Sequence, residues 1–262
     1  MTLPLVSVLM PVRDTREDWL WTAIHGIATQ DYPNLHLCIG DQSTRASTVD
    51  ASSEAEETWP DRIRVARMGP DKPGTAYALD AAMAISDPST VYYSKADSDD
   101  IFACSREGRR VRALESLPPQ VAIAYENFLQ MNYEPRPWIQ PIVLKPYNMR
   151  AELAGSLIPG NSMWRASVYE KIPKSFAFDG YEGRSNRHAE DYNLWLAITD
   201  FWDGFWIDCD PAASWTYRNY GGSKYRKDRK GVDYARSFLS IRACERRGMT
   251  EGGFYKAGKI VA

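Results

Sequence analysis

Short apolar runs that stop at polar turns, alternating with segments whose apolar residues recur every three or four positions, organise the first half of this chain. Val6-Ser7-Val8-Leu9-Met10 has the pattern of a buried strand ending at Pro11, and Leu20, Ala23, Ile24 and Ile27 then recur at helical spacing. Thr15 with Asp18 three residues later has the form of a capping box for that helix. Leu35-His36-Leu37-Cys38-Ile39 predicts a second strand leading into the polar turn Gly40-Asp41-Gln42-Ser43. Strand, helix, strand is the βαβ pattern of an α/β protein. Residues 44–57 read as a loop and a weak helix, 62–66 as a strand, and 69–74 as a loop. Ala76, Leu79, Ala82 and Met83 mark a further helix, and the strand-like run Thr90-Val91-Tyr92-Tyr93-Ser94 follows it.

Directly after that run come Asp97-Ser98-Asp99-Asp100, three carboxylates in four positions. Neighbouring ionised carboxylates repel, and a fold tolerates them best when a divalent cation or several N–H donors offset the charge. Alternation along a strand lets Asp97 and Asp99 face one way and Asp100 another, an oxygen-rich arrangement suited to Mg²⁺ or Mn²⁺. An Asp-rich turn capping the next helix reads from the same residues. Ligands of open α/β sheets bind beyond the carboxyl ends of the strands. Arg13-Asp14, Asp41 and Asp97 to Asp100 all fall at such ends, which favours the metal site. Neither a GxGxxG nor a GxxxxGK[ST] sequence is present, so phosphate charge would have to be met by a metal.

The second half is less regular. Pro-rich connections from 135 to 146 lead to Pro159-Gly160-Asn161-Ser162-Met163-Trp164-Arg165, and Glu190-Asp191 opens a helix predicted to turn Leu194, Trp195, Ile198 and Phe201 inward. Carboxylates in a first helical turn are ordinary, because the helix dipole favours them there. The late aromatics 195–217 are expected to be mostly core, with Trp164 the first candidate for an acceptor pocket. Lys224, Arg226, Lys227, Arg229 and Lys230 form a basic run after Gly221-Gly222. A solvated loop is the favoured reading; the others are a flap over a diphosphate or contact with an anionic membrane surface. Residues 232–247 carry Val232, Ala235, Leu239 and Ala243 on one side of a predicted helix that either docks on the domain or mediates oligomerisation.

Composition narrows the class. With 262 residues, 44% hydrophobic and 25% charged, the chain can bury a real core, and a net charge of −2 gives no field for nucleic acid. Cys38, Cys104, Cys209 and Cys244 are scattered without a CxxC pair, as expected of reduced thiols. The apolar start at 3–12 is too short to span a bilayer and has no basic leader before it. A soluble, cytoplasmic protein is expected, with membrane contact at most peripheral.

Taken in order, the segments resemble the inverting glycosyltransferases of family 2, with the GT-A fold, over residues 5–225. The resemblance rests on Val6 to Val12, Gln30-Asp31-Tyr32-Pro33-Asn34, Gly40-Asp41-Gln42-Ser43-Thr44 and Asp97-Ser98-Asp99-Asp100-Ile101. It continues through Glu190-Asp191-Tyr192-Asn193-Leu194-Trp195-Leu196 and Tyr217-Arg218-Asn219-Tyr220-Gly221-Gly222-Ser223. It implies a Rossmann-like mixed sheet flanked by helices in one catalytic domain, residues 1–225, with a nucleotide-binding half at 1–125 and an acceptor-binding half at 126–225. Residues 226–262 form a C-terminal basic loop and helix.

The resemblance further implies that Pro11 and Val12 cradle a nucleotide base whose edge Asp41 reads, that Asp97 and Asp99 form the DxD pair, and that Asp191 is the catalytic base. Asp99 would ligate Mn²⁺ or Mg²⁺, with Asp97 toward the ribose or sharing the metal, and Ser98, Arg13, Asp14 and Lys72 lining the donor. Trp164, Arg165 and Glu190 are placed on the acceptor side, Arg165 and Lys72 also being phosphate candidates. A nucleotide-diphosphate sugar, UDP- or dTDP-linked, is the implied donor; a glycan, a lipid-linked sugar or a protein is the implied acceptor. Glu190 is the rival base. The chain departs from the family pattern at Arg13-Asp14, where Tyr-Asn is usual, at Gly40 for an acid, at Gln42 for a glycine, and at Tyr220 for a histidine. Two other functions are weighed: a degenerate binder of glycan or nucleotide, which the retained Asp99 and Asp191 disfavour, and a nucleotidyltransferase, which would need a Gly-rich loop where Arg13-Asp14-Thr15-Arg16 stands.

Overall fold

The computed structural model describes residues 2–69, 74–133, 136–155, 157–176 and 189–220. It also describes 236, 239–241, 243–244 and 247–248, and the backbone of three two-residue strands between 251 and 260. The main elements, in order, are β1 (Val6–Val12), α1 (Glu17–Ala28), β2 (Leu35–Asp41), α2 (Ala46–Thr58), β3 (Ile63–Arg67), α3 (Thr75–Ala84), β4 (Tyr92–Lys95) and β5 (Ile101–Phe102). Then come α4 (Arg106–Glu115), β6 (Val121–Glu126), β7 (Phe128–Asn132), β8 (Trp138–Ile142), α5 (Met149–Gly155), β9 (Met163–Arg165), α6 (Glu190–Ile198), β10 (Asp203–Ile207) and β11 (Trp215–Asn219).

β1 is apolar at nearly every position because it is covered on both faces, as a strand inside a parallel sheet must be. It pairs in parallel with β2 and β4 within a seven-stranded sheet of order β10-β6-β9-β4-β1-β2-β3, in which β9 alone runs against its neighbours. The two-residue period sends Val6, Val8 and Met10 into one core with Leu20, Ile24 and Ile27 of α1, Ala51 and Ala55 of α2, and Val111 and Leu114 of α4. Leu9 goes to the opposite core, with Leu79 and Ala82 of α3 and Leu194, Trp195 and Ile198 of α6. A second sheet, β5-β11-β7-β8, carries the late strand β11 back beside the turn that follows β4.

Two local expectations change, and one left open between docking and oligomerisation gains contacts on the docking side. Helix α1 starts at Glu17 and takes no side-chain cap; the Thr15 hydroxyl instead pairs with the Ser98 hydroxyl at 2.7 Å. α6 ends at Ile198, so Phe201 lies beyond it and is 54% exposed rather than inward. Val232, Ala235 and the basic run 224–230 lie outside the described residues, but Leu239, Ala243 and Cys244 pack with Leu153, Tyr192 and Leu196, docking that segment against α5 and α6. No helix among the described residues is long and apolar enough to cross a membrane, and the four cysteines are free.

Candidate active site

Because β1 and β2 run in register, Val12 lies opposite Asp41, and the polar residues that follow them meet at one edge. Asp14 adopts a left-handed backbone (φ 50°), which Asp tolerates better than most residues, and reaches across to the start of α2. Its Oδ1 accepts from the amides of Thr44 (2.7 Å) and Arg45 (2.8 Å), supplying the cap that α2 lacks at its own N-terminus. Burial works against ionisation there, but these amides outweigh it and lower the Asp14 pKa. Its partly exposed carboxylate is thus engaged with the start of α2. Asp41 is 2% exposed; Oδ1 accepts from the Ser43 amide at 2.8 Å and Oδ2 is ion-paired to Arg67, the residue opposite it on β3. Arg13 is exposed beside them and Pro11 is partly exposed.

Two departures from the family pattern have a packing cause. A Cβ on Gly40 would lie 1.9 Å from the Ala78 carbonyl oxygen, so α3 sits where an acidic side chain would go. Gly40→Ala is therefore expected to cost about 3 kcal/mol or more, read by urea unfolding, because backbone rather than a flexible side chain must move. Gln42 accepts from the Gly74 amide at 2.9 Å and so anchors the approach to α3.

At the end of β4 the aspartates divide. Asp97 and Asp99 are partly exposed, whereas Asp100 is fully buried. Asp100 accepts from the Arg218 amide (2.9 Å) and from Asn161 Nδ2 (2.7 Å), tying together β11 and the loop before β9 instead of capping a helix. Asn161 in turn accepts from the Asp97 amide at 3.0 Å. Tyr220, which stands where the family has histidine, donates to Asp99 Oδ2 at 3.0 Å, and the Arg218 guanidinium donates to the Asp99 carbonyl. Burial, followed by the charge of Asp97, pushes the Asp99 pKa up to about 6.

Lys95, the last residue of β4, is 3% exposed and donates to Asp97 Oδ1 at 2.6 Å. Burial alone would lower its pKa, but Asp97, Asp191 and Glu190 outweigh that and raise it. Asp191 opens α6, partly exposed, its Oδ1 accepting from the Tyr192 amide, while Glu190 beside it is 7% exposed. Gly160 closes this cluster: a Cβ there would lie 2.5 Å from Asp191 Oδ2 and 3.3 Å from Lys95 Nζ. No group of three or more His, Cys, Asp or Glu side chains able to hold a metal comes together among the described residues. A cation would therefore rest on one or two carboxylates and complete its shell with phosphate and water, the usual manner of Mg²⁺.

Beneath the turn, α4 supplies an ionic support that the sequence pattern did not reveal. Arg106, Glu107 and Arg110 are fully buried; Arg106 donates to the Lys95 carbonyl (2.9 Å) and Arg110 to the Asn161 carbonyl (2.7 Å). The signal was available as charges at helix-buried spacing, but a solvated face reads identically in sequence.

Glu152 of α5 is another buried carboxyl, pushed up to about 8 by burial despite the backbone donors of Ile158 and Leu157. The folded protein then binds a proton that the unfolded chain releases above pH 4.5, so stability falls as pH rises from about 4.5 toward 8. Glu152→Gln is expected to stabilise the protein by up to about 3 kcal/mol at pH 7 and by little near pH 4.5, as measured by unfolding at both values.

The acceptor-side expectations for Trp164 and Arg165 are corrected. Trp164 is fully buried, stacked on Tyr93 at 5.8 Å and edge-on to Trp195 at 5.5 Å, because β9 lies inside the sheet. Arg165 donates to the carbonyls of Val121, Leu114 and Leu117, binding β6 and the end of α4 to β9. Ser98 is buried against Thr15, and Lys72 lies outside the described residues.

A mixed sheet with acidic residues gathered beyond its central strands is the architecture of GT-A glycosyltransferases, and solved structures agree. The mannosyltransferase of Pyrobaculum calidifontis, in complex with GDP-Man and Mn²⁺, matches with a TM-score of 0.58 at 14% identity, over 94% of this chain and 76% of that one. TarS 1-349 of S. aureus in complex with UDP matches at 0.56 and 13% identity, over 88% of this chain and 65% of that one. A longer TarS structure also matches at 0.56 and 12% identity; 87% of this chain is covered, but only 39% of that one. Residues 7–172 match the family described as Glycosyl transferase family 2, and the chain belongs to that family. A search of the curated proteins finds no match.

Proposed function

We propose that this protein transfers a sugar from a nucleotide-diphosphate donor to a hydroxyl acceptor with inversion, holding a divalent cation on Asp99, aided by Asp97, and using Asp191 as general base. The observation that carries this reading is that the buried ammonium of Lys95 pairs with Asp97 and lies within the charge influence of Asp99 and Asp191, which gathers the DxD pair and the α6 carboxylate around one point. A cation bound there would neutralise charge developing on the leaving diphosphate. Asp191 takes the acceptor hydroxyl's proton, and of the two carboxylates opening α6 it is the accessible one. Attack from the face opposite the diphosphate inverts the anomeric carbon. Tyr220 fixes the orientation of Asp99 from the β11 side. Solved relatives in complex with UDP, with UDP-GlcNAc, and with GDP-Man and Mn²⁺ support a nucleotide-sugar donor and a divalent ion, Mn²⁺ or Mg²⁺. A uridine or thymidine base is favoured by Asp41, and the acceptor class is a hydroxyl on a glycan, lipid-linked sugar or protein.

Thermal unfolding with UDP, dTDP and GDP, each with and without Mn²⁺, tests this. A ligand at 100 times its Kd adds roughly 2.7 kcal/mol, or a Tm rise of about 5–10 °C for a domain of this size. The rise is expected to need Mn²⁺ and to disappear in Asp99→Ala; an equal rise without the metal, or in the variant, would overturn the metal assignment.

A further inference from the structure

Alternation at the end of β4 separates two kinds of contact. Ser94 turns its hydroxyl to Arg106 and Arg110 in the buried ionic support. Lys95, one residue on, sends its side chain to the other face, where its surroundings are acidic. Its ammonium is 2.6 Å from Asp97 Oδ1, and the charges that act on it most strongly are those of Asp97, Asp191 and Glu190, in that order. Asp99 and Asp100 also feel its charge. Gly160 allows this closeness, since any side chain there would strike Asp191 Oδ2 and crowd Lys95 Nζ. A lysine this buried keeps its charge because of the carboxylates around it, and the ion pair with Asp97 is the contact whose loss from one side would leave a charge uncompensated.

We propose that Lys95 is a positioning residue of the transfer site: its ammonium fixes Asp97 on the donor side and Asp191 on the acceptor side against one point. By occupying Asp97 Oδ1 it also leaves Asp99 as the principal ligand of a single divalent cation. The proposal rests on the reading of Asp99 as metal ligand and Asp191 as base. Its logic is charge placement. A fixed monovalent cation that cannot leave with the product keeps the base aligned while the metal and diphosphate exchange. It also competes with a metal for Asp97, so the free site binds the ion less tightly than two unencumbered carboxylates would.

The test uses Mn²⁺ alone as probe, by calorimetric titration of the full chain, together with hydrolysis of sugar nucleotides, such as UDP-GlcNAc or GDP-Man, built on the nucleoside diphosphate that thermal unfolding selects. Lys95→Met is expected to bind Mn²⁺ at least roughly tenfold more tightly, because Asp97 is released and a positive charge is gone. It should also lose at least roughly 100-fold in turnover, the scale of misplacing a catalytic group. Lys95→Arg, which keeps the charge, should hold the wild-type Mn²⁺ affinity within about threefold and regain part of the turnover. A merely structural lysine would not tighten metal binding when removed. Lys95→Met binding Mn²⁺ no more tightly than wild type, or turning over at the wild-type rate, would overturn the proposal. If Lys95→Met melts early, the charge-balanced Lys95→Met/Asp97→Asn variant replaces it. That variant should melt with the wild type yet stay inactive, and recovery of turnover in it would reduce Lys95 to a counterion for Asp97 and overturn the positioning role. Wild-type protein that binds no Mn²⁺, or Asp99→Ala that binds it unchanged, would instead refute the underlying metal reading.

Discussion

Asp191→Asn is expected to reduce turnover by about 10²–10⁴-fold, the usual contribution of a positioned general base, while leaving Mn²⁺-dependent nucleotide binding intact. The substitution is nearly isosteric. Asn can still accept from the Tyr192 amide, as Oδ1 does at 2.8 Å, so the first turn of α6 should keep its shape and the melting temperature should change little. What is lost is the carboxylate oxygen that faces Gly160 and Lys95, and with it the ability to take a proton from an acceptor hydroxyl. Glu190→Gln should have a much smaller effect on turnover, because Glu190 is 7% exposed and turned into the protein. Single-turnover measurements of both variants decide between the two carboxylates: full activity in Asp191→Asn with loss in Glu190→Gln would move the base to Glu190.

Glu126→Gln is expected to be the most damaging change to the fold, costing about 3–5 kcal/mol, the penalty for breaking a buried ion pair from one side. Glu126 is fully buried, with Oε1 accepting from Arg110 Nε at 2.9 Å and Oε2 from Arg109 at 2.8 Å. Burial opposes its ionisation, but Arg110 and Arg109 outweigh that and lower its pKa. Its contribution is therefore present above the ordinary glutamate range and is lost as pH falls through the depressed value. Without that charge, Arg106, Arg109 and Arg110 are left with Glu107, and a loss of this size is a large part of the ~5–15 kcal/mol that holds a domain folded. The effect should reach the site, since Arg110 also holds the Asn161 carbonyl and Asn161 holds both Asp100 and the Asp97 amide. Urea unfolding measures the first consequence and Mn²⁺ titration the second. A midpoint within error of wild type would show that the network is not the support described.

The sheet and its flanking helices were legible because they rest on local repetition. β1 and β2 read as buried runs, the residues at 20, 23, 24 and 27 as one helical face, and each falls where the periodicity places it. The different exposure of the aspartates agrees with the expected division, but not for the expected reason: β4 ends at Lys95, and Asp100 is buried because the turn after it carries its carboxylate to Asn161 and the Arg218 amide. Aromatic residues misled where only depth distinguishes roles: Trp164 reads equally well as a sugar platform or as core, and insertion of β9 between β4 and β6 makes it core. The basic residues of α4 were not singled out at all, because charges on a helix ordinarily mark a solvated face, yet Arg106 and Arg110 are fully buried.

By itself, the sequence determined the α/β class, the order of the strand-end motifs, and the choice of Asp97, Asp99 and Asp191 as the acids to ask about. These depend on spacing along the chain, which folding does not alter. The tertiary structure alone decided what each polar group faces: that Asp14 caps α2, that Asp41 pairs with Arg67, that Gly40 must be bare to admit α3, and that Lys95 pairs with Asp97 in the neighbourhood of Asp191. Such pairings join residues tens of positions apart, and the charge of a partner across the fold leaves no periodicity for a sequence to display.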